Sequence, residues 1–327
     1  NRNAFQDLKR KNKYEFNNDF IIRALYRPFC FQHFYFSKQM NAMQYQMNKI
    51  FTDNLMQNLV ICVNGIGAKN GLSPFVSNHM VDLNFLEAGA QCFPIKTNQE
   101  TNDLGLFLGT KTEHIDANAI NDTLLASLNS DYQTTEIDAT SVLQYVYAVL
   151  HSGHYREKFA NNLSKEMPRI PFAKKLELFS ELKIAGEKLI NLHLNFEDAD
   201  MYPVHLREGS LELTSIPDPK TFFRVEKMRF EKKGNKGSVV YNKNLTIENV
   251  PLDAYEYQLC GRSALEWVME RQCVKTDKAT GIVNDANDYA NETMNNPAYP
   301  LELFQRVITV SLETMKIVKS LPKLDID

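Results

Sequence analysis

Bulky apolar and polar residues alternate through "IIRALYRPFCFQHFYF" (21–36), and this period of two predicts strands joined at a bend near Pro28, because proline lacks the N–H that a helix or sheet interior uses. The short apolar run "NLVICVNG" (58–65) ends in glycine and predicts a buried strand. "MVDLNFLEAGAQCFPIKT" (80–97) fits a helix or strand followed by a strand through Cys92 and Ile95. To about residue 100 the pattern is that of a sheet-based lobe, preceded by a polar lead-in over 1–20.

The period then changes. Residues 101–138 are polar and acidic, expected as loop with one short helix near 117–128. Val142, Tyr145, Val146, Val149 and Leu150 fall at helical spacing, with Thr140 or Ser141 as cap. Ser152-Gly153 should break that helix before "YREKFANNLSKE". "PRIPF" (168–172) should be extended, and Leu176, Phe179, Leu182, Leu189 and Leu192 mark a second amphipathic helix over 174–196.

From about 205 to 250 the text is β-like again. "FFRVEKMRF" and "GSVVYN" flank "EKKGNKG" (231–237), whose Gly and Asn supply the positive φ of a hairpin turn. "SALEWVMERQ" and "PLELFQRVITVSLETMKIV" are helical. The fold expected is mixed α/β: a β-sheet-based lobe at 1–135, a helical segment at 136–200, and a β-hairpin plus helical C-terminal lobe at 201–327.

The composition is that of a folded chain: 327 residues, 43% hydrophobic and 24% charged. No apolar run approaches the ~18 residues of a membrane span, and no signal-peptide layout is present. Five cysteines (Cys30, Cys62, Cys92, Cys260, Cys273) without a C-x-x-C pair argue against a disulfide framework or zinc finger, so an intracellular, cytoplasmic location is expected. The start at Asn1, without methionine, points to a piece of a longer protein. Net charge is −3, which argues against a non-specific nucleic-acid coat. Its distribution says more, since residues 1–60 carry 9 basic and 4 acidic groups, 150–190 carry 8 and 5, and 205–245 carry 9 and 5, with acidic zones between. Basic zones that converge on one face would track phosphates.

Catalytic motifs are weak. "GIGAKNG" (65–71) follows an apolar strand as a dinucleotide or S-adenosylmethionine glycine loop does, but Ser73-Pro74 stand where a helix should begin. "NPAY" (296–299) is similar to the Asn-Pro-Pro-Tyr motif of adenine methyltransferases, with Ala for the second Pro; helix entry accounts for it equally well. Pro217-Asp218 with Glu231 and Lys233 matches a loose magnesium-nuclease pattern, in which two carboxylates hold the metal and lysine steadies the attacking water. A metal-dependent nuclease using Asp218, Glu231 and Lys233 is therefore the alternative reading. His151 and His154 stand i, i+3 without further ligands, and Glu197-Asp198-Asp200 fits a helix-ending acidic loop.

Several phrases in order carry a family resemblance: "ALYRPFCFQHFYF", "YQMNKIF", "NLVICVNGIG", "QCFPI", "YVYAVLHSGHYREKFANNLSKEMPRIPF", "VYNKNLTIENVPLDAYEYQLCGRSALEWVMERQ" and "RVITVSLETMKIV". From about residue 15 to 320 the chain resembles the C-terminal specificity region of Type ISP restriction-modification enzymes. The resemblance implies a non-catalytic reader of double-stranded DNA, with nuclease, helicase-like translocase and adenine methyltransferase domains upstream. It also implies no cofactor in this segment, with S-adenosylmethionine, ATP and magnesium used by the parent enzyme. The shared blocks, among them Tyr26, Arg27, Pro28, Phe29, Tyr155, Arg156, Pro168, Arg169 and Pro171, are expected as framework.

Base readers are expected as polar side chains on loops where backbone can approach DNA. Three sets qualify: Asn64, Lys69, Asn70, Ser77 and Asn78 in the first lobe; Lys232, Lys233, Asn235 and Lys236 at the hairpin; and Arg262 with Ser263, where "CGRS" opens a helix whose N–H groups suit a phosphate. A docking role toward the upstream domains through the middle helices is compatible with these.

Overall fold

The structure, a computed structural model, describes residues 4–41, 43–52, 58–102, 112–207 and 218–325. Strands β1 (Ile21–Arg27) and β2 (Cys30–Tyr35) form the expected antiparallel hairpin, turning at Pro28-Phe29 with Phe29 at φ +57° and fully buried. Strand β3 (Val60–Val63) lies between β4 (Pro74–Ser77) and β5 (Gln91–Pro94), antiparallel to both. Apart from a single parallel bridge from Val81 to Leu25, residues 80–90 form turns and bends rather than the helix or strand expected there. The next hairpin pairs β6 (Lys96–Asn102), mostly within the expected sheet-based lobe, with β7 (Thr112–Asn118), which occupies sequence expected as loop. A helix does follow, at Asp122–Asp131.

Helix α1 (Ala139–His151) starts at Asp138, whose carboxylate accepts from the Ser141 N–H at 2.7 Å, so the cap precedes the Thr140 or Ser141 expected. Ser152 ends it and caps the next short helix, Gly153–Lys158. Helix α2 (Leu176–Leu194) packs along α1 so closely that a β-carbon on Gly186 would lie 1.8 Å from the Gln144 carbonyl oxygen. Tyr145, Tyr147, Phe179 and Leu189 are fully buried between these helices, each large apolar side chain contributing about 1.5–3 kcal/mol.

Strands β8 (His205–Arg207), β9 (Arg229–Lys232), β10 (Asn235–Val240) and β11 (Thr246–Glu248) form one antiparallel sheet in the order β8-β11-β10-β9. The start of the "FFRVEKMRF" run is helical instead: Pro219–Phe223 form a short helix with Pro in its first turn. Two-residue strands β12 (Gln258–Leu259) and β13 (Arg262–Ser263) lead into α3 (Ala264–Arg271), and α4 (Tyr299–Ser320) ends the regular structure.

Two apolar clusters form the core among the described residues, and they do not follow segment boundaries. One joins residues of 24–86 with residues of 196–310; the other joins β3 and β4 to the two middle helices and Leu324. Strand β3 serves both, because side chains alternate across a strand: Val60 and Cys62 face the first cluster, Ile61 and Val63 the second. His193 ties α2 to the rest, hydrogen-bonded to Tyr147 (2.6 Å) and to Thr314 on α4 (2.9 Å).

Candidate nucleic-acid interface

The glycine-rich loop joins two antiparallel strands, β3 and β4, so no phosphate-facing helix follows it as a dinucleotide fold requires. Asn64 at its base is buried. Its Nδ2 donates to the Gly71 carbonyl (2.7 Å) and its Oδ1 accepts from the Ser73 N–H (2.7 Å), which leaves Lys69 and Asn70 exposed at the tip. The second element is the turn between β12 and β13. Cys260 (φ +51°) and Gly261 (φ +75°) are both left-handed, the requirement of a tight two-residue hairpin.

These elements, far apart in sequence, meet. The Cys260 N–H donates to Ser73 Oγ (2.8 Å), the Glu87 N–H donates to Cys260 Sγ (3.3 Å), and the Asn70 amide lies over Gly261. Arg262 projects beside them, paired with Glu270 and stacked at 5.2 Å on Trp267. Along α3 the third element joins. Ser263 and Glu266 form a reciprocal cap, and Glu266 Oε1 accepts from Lys236 Nζ at 3.2 Å. Lys236 is the second residue of strand β10, beyond a hairpin tip of Lys233 and Gly234 (φ +86°), with Lys232 and Asn235 paired across it. The Asn70–Gly261 contact and the Lys236–Glu266 ion pair thus link loop, turn and hairpin into a strip drawn from segments far apart in sequence, with Lys69, Asn70, Arg262, Lys232 and Lys233 exposed along it.

Acidic groups are built into that strip. Burial opposes charge on Glu266, but the bonds from Ser263 and the Lys236 ammonium outweigh it and hold the carboxyl below its ordinary value. This changes the reason for placing a phosphate at the α3 start: Ser263 is buried, its hydroxyl accepts from the Glu266 N–H, and a carboxylate already stands at the helix N-terminus. Ser77 and Asn78 are not brought to the strip. Ser77 pairs with Val60, at the end of β3 remote from the loop, and its hydroxyl is bonded to the His79 backbone. Asn78 Oδ1 meets His79 Nδ1 at 2.7 Å. Asn64, Ser77 and Ser263 thus shape loops from inside. Asn235 is exposed, with Oδ1 accepting from the Gly237 N–H at 3.0 Å.

A family model, the Type ISP C-terminal specificity domain, matches residues 1–303. The chain belongs to this family. Among solved structures, the ATP-dependent Type ISP restriction-modification enzyme LlaBIII bound to DNA is similar over the whole chain, at 29% identity and a TM-score of 0.83, with 20% of that enzyme covered. A nuclease-deletion mutant of the Type ISP enzyme LlaGI in complex with a DNA substrate mimic matches over 98% of this chain and 26% of its own, at 31% identity and a TM-score of 0.77. The DrdV–DNA complex matches over 99% and 30%, at 32% identity and a TM-score of 0.81. The chain thus spans between a fifth and a third of the length of these enzymes. No curated protein matches.

In this Type ISP specificity domain the other motifs have structural explanations. Asn296 and Tyr299 of "NPAY" enter helix α4: Asn296 Oδ1 accepts from the Ala298 N–H (3.0 Å), and the buried Tyr299 hydroxyl donates to Glu197 (2.5 Å). Glu197 also receives Arg23 (2.5 Å), which donates to the Tyr289 hydroxyl (2.9 Å), so the acidic loop, β1 and the α4 entry share one polar network. The nuclease set is not assembled. Glu231 is paired with Arg207, Asp218 accepts from the Thr221 hydroxyl, and Pro217 lies outside the described residues. No group of three His, Cys, Asp or Glu side chains suited to a metal occurs among the described residues. His151 is buried with Nδ1 donating to the Tyr147 carbonyl (2.8 Å), whereas His154 accepts from the Leu324 N–H (3.3 Å). No helix among the described residues is long and apolar enough to cross a membrane.

Sequence reasoning missed Glu87, which accepts from Asn70 and joins the first two elements. Its only signal was position in an acidic stretch. It likewise missed Trp267 as the platform under Arg262.

Proposed function

We propose that this chain reads a duplex DNA sequence on behalf of a larger Type ISP restriction-modification enzyme, and that the strip from Lys69 to Lys232 faces the DNA. The observation that carries the reading is convergence: a glycine-rich loop near residue 70 touches a turn near 261, the helix after that turn is ion-paired to the base of a hairpin whose tip is near 234, and Lys69, Arg262, Lys232 and Lys233 are exposed on these elements. Lysines there hold phosphates and set the register, while Asn70, Asn235 and Arg262 offer the hydrogen-bonding edges that distinguish bases. The relatives' DNA-bound states support the same reading.

On this reading bond-making belongs to the nuclease, translocase and adenine methyltransferase parts of the parent enzyme, which use magnesium, ATP and S-adenosylmethionine, and the whole works in the cytoplasm. The test is titration of the chain with duplexes at several salt concentrations. Sequence-selective binding is expected, and Lys69→Ala or Lys233→Ala should each lower the log–log salt slope by about 0.9, the value for one lost phosphate contact. Unchanged affinity and slope in both variants would remove the strip from the DNA face. Magnesium-dependent cleavage by the chain, lost in Glu231→Ala, would instead make it a nuclease.

A further inference from the structure

Glu87 is not a candidate base reader, yet it sets the geometry of one. Its Oε2 accepts both the Asn70 backbone N–H (3.3 Å) and the Asn70 side-chain Nδ2 (2.9 Å). Its own N–H donates to Cys260 Sγ (3.3 Å), and its carbonyl accepts from the Gly65 N–H (3.0 Å), so it is fixed to both walls of the junction. A carboxylate accepts only. The end of the Asn70 amide that faces Glu87 must therefore be the amine, and a flip of the amide would set two oxygens against each other. The bonds from Asn70 and Lys69, with the Lys69 charge, outweigh the effect of burial and hold the Glu87 carboxyl below its usual range, so it stays an acceptor at neutral pH.

Gly261 completes the seat. A β-carbon there would stand 2.5 Å from Asn70 Oδ1 and 3.1 Å from Nδ2, so the amide rests flat against glycine backbone that no other residue leaves open. Asn70 is exposed, and its Oδ1 accepts no hydrogen bond among the described residues. The edge left over is an acceptor beside a second N–H, the pair that matches N6 and N7 of adenine in the major groove.

We propose that Glu87 is a positioning residue that fixes the amide of Asn70, and that Asn70 so held reads a single adenine of the target. This rests on the strip facing DNA. A merely structural Glu87 would affect stability and leave base preference alone, which separates the two roles.

The experiment is selection from a pool of randomised duplexes by the full chain and by Asn70→Ala, Glu87→Met, Gly261→Ala and Lys69→Ala, with a thermal melt of each. The unmodified chain is expected to enrich a motif. Asn70→Ala should lose preference at one adenine position by roughly 5- to 150-fold, the range for one bidentate base contact. Glu87→Met, which keeps size but offers no oxygen acceptor, and Gly261→Ala, which displaces the amide, should relax the same position, while Lys69→Ala weakens binding to all sequences alike. An unaltered motif with Asn70→Ala overturns the proposal, as does a Glu87→Met variant that melts lower but keeps full preference at that position. If the unmodified chain enriches no motif, the DNA-reading function itself fails and this inference falls with it.

Discussion

Lys236 Nζ stands 3.2 Å from Glu266 Oε1, while the other oxygen of that carboxylate accepts from the N–H (3.0 Å) and hydroxyl (2.7 Å) of Ser263. One acidic side chain thus caps α3 and anchors the β9–β10 hairpin. Glu266→Gln keeps the capping box, because glutamine also suits that position, but removes a negative charge from the strip and releases Lys236. Stability should fall by less than about 1 kcal/mol, and duplex DNA should bind roughly two- to five-fold more tightly at low salt. Urea unfolding and a salt-resolved titration measure both; weaker binding by a folded variant would mean that Glu266 itself contacts DNA.

Gly186→Ala places a methyl group 1.8 Å from the Gln144 backbone oxygen, with the Ala148 nitrogen also close at 3.3 Å. Backbone cannot rotate aside as a side chain can, so α1 and α2 must separate. A loss of about 3 kcal/mol is expected in denaturant unfolding, despite alanine's better helix propensity.

Removing Glu197 charge strands Arg23, whose guanidinium packs 3.8 Å above the Phe31 ring. Glu197→Gln should cost about 2 kcal/mol, below the loss for a fully buried pair because Arg23 is a third exposed. Tyr299→Phe, which removes one neutral donor to Glu197, should cost about 1 kcal/mol in the same assay.

Acid should weaken the fold well before carboxylates titrate. Burial lowers His193 to about 3, and lowers His151 well below its ordinary value, with the nearby His193 and Arg156 adding to it. Between pH 6.5 and about 4.5 the unfolded chain therefore takes up protons that the folded chain refuses, and stability falls as pH falls. The loss approaches about 1.4 kcal/mol per pH unit for each histidine. Charging His151 would put a proton on Nε2, which is buried without a hydrogen-bond partner among the described residues. His193→Gln should flatten the pH dependence of the unfolding free energy over this window; an unchanged slope would mean that other groups govern it.

Strong periodicity made much of this architecture legible. The β1–β2 alternation, the apolar face of α1 and the turn residues at 233–234 were each specified by neighbours in the chain. Hairpin β6–β7 was not, because "KTNQETN" and "TEHIDAN" carry little apolar alternation and pair through their backbones. Pro219–Phe223 contradicts a β-rich composition because proline in the first turn favours helix. At the candidate site, loop tips could be inferred from glycine and charge. The fate of Asn64 and Ser77 could not, since their buried positions and the bonds they make are set by how each loop folds back on itself.

Strand β3 gives its alternate side chains to different cores, so it tolerates no change of phase. One residue inserted before Val60 would send every following side chain to the opposite cluster, whereas residues 66–70 or the tip at 233–234 can change length and identity without disturbing either. Evolution toward new targets is thereby channelled: recognition can drift at the rim while the dividing wall behind it stays frozen.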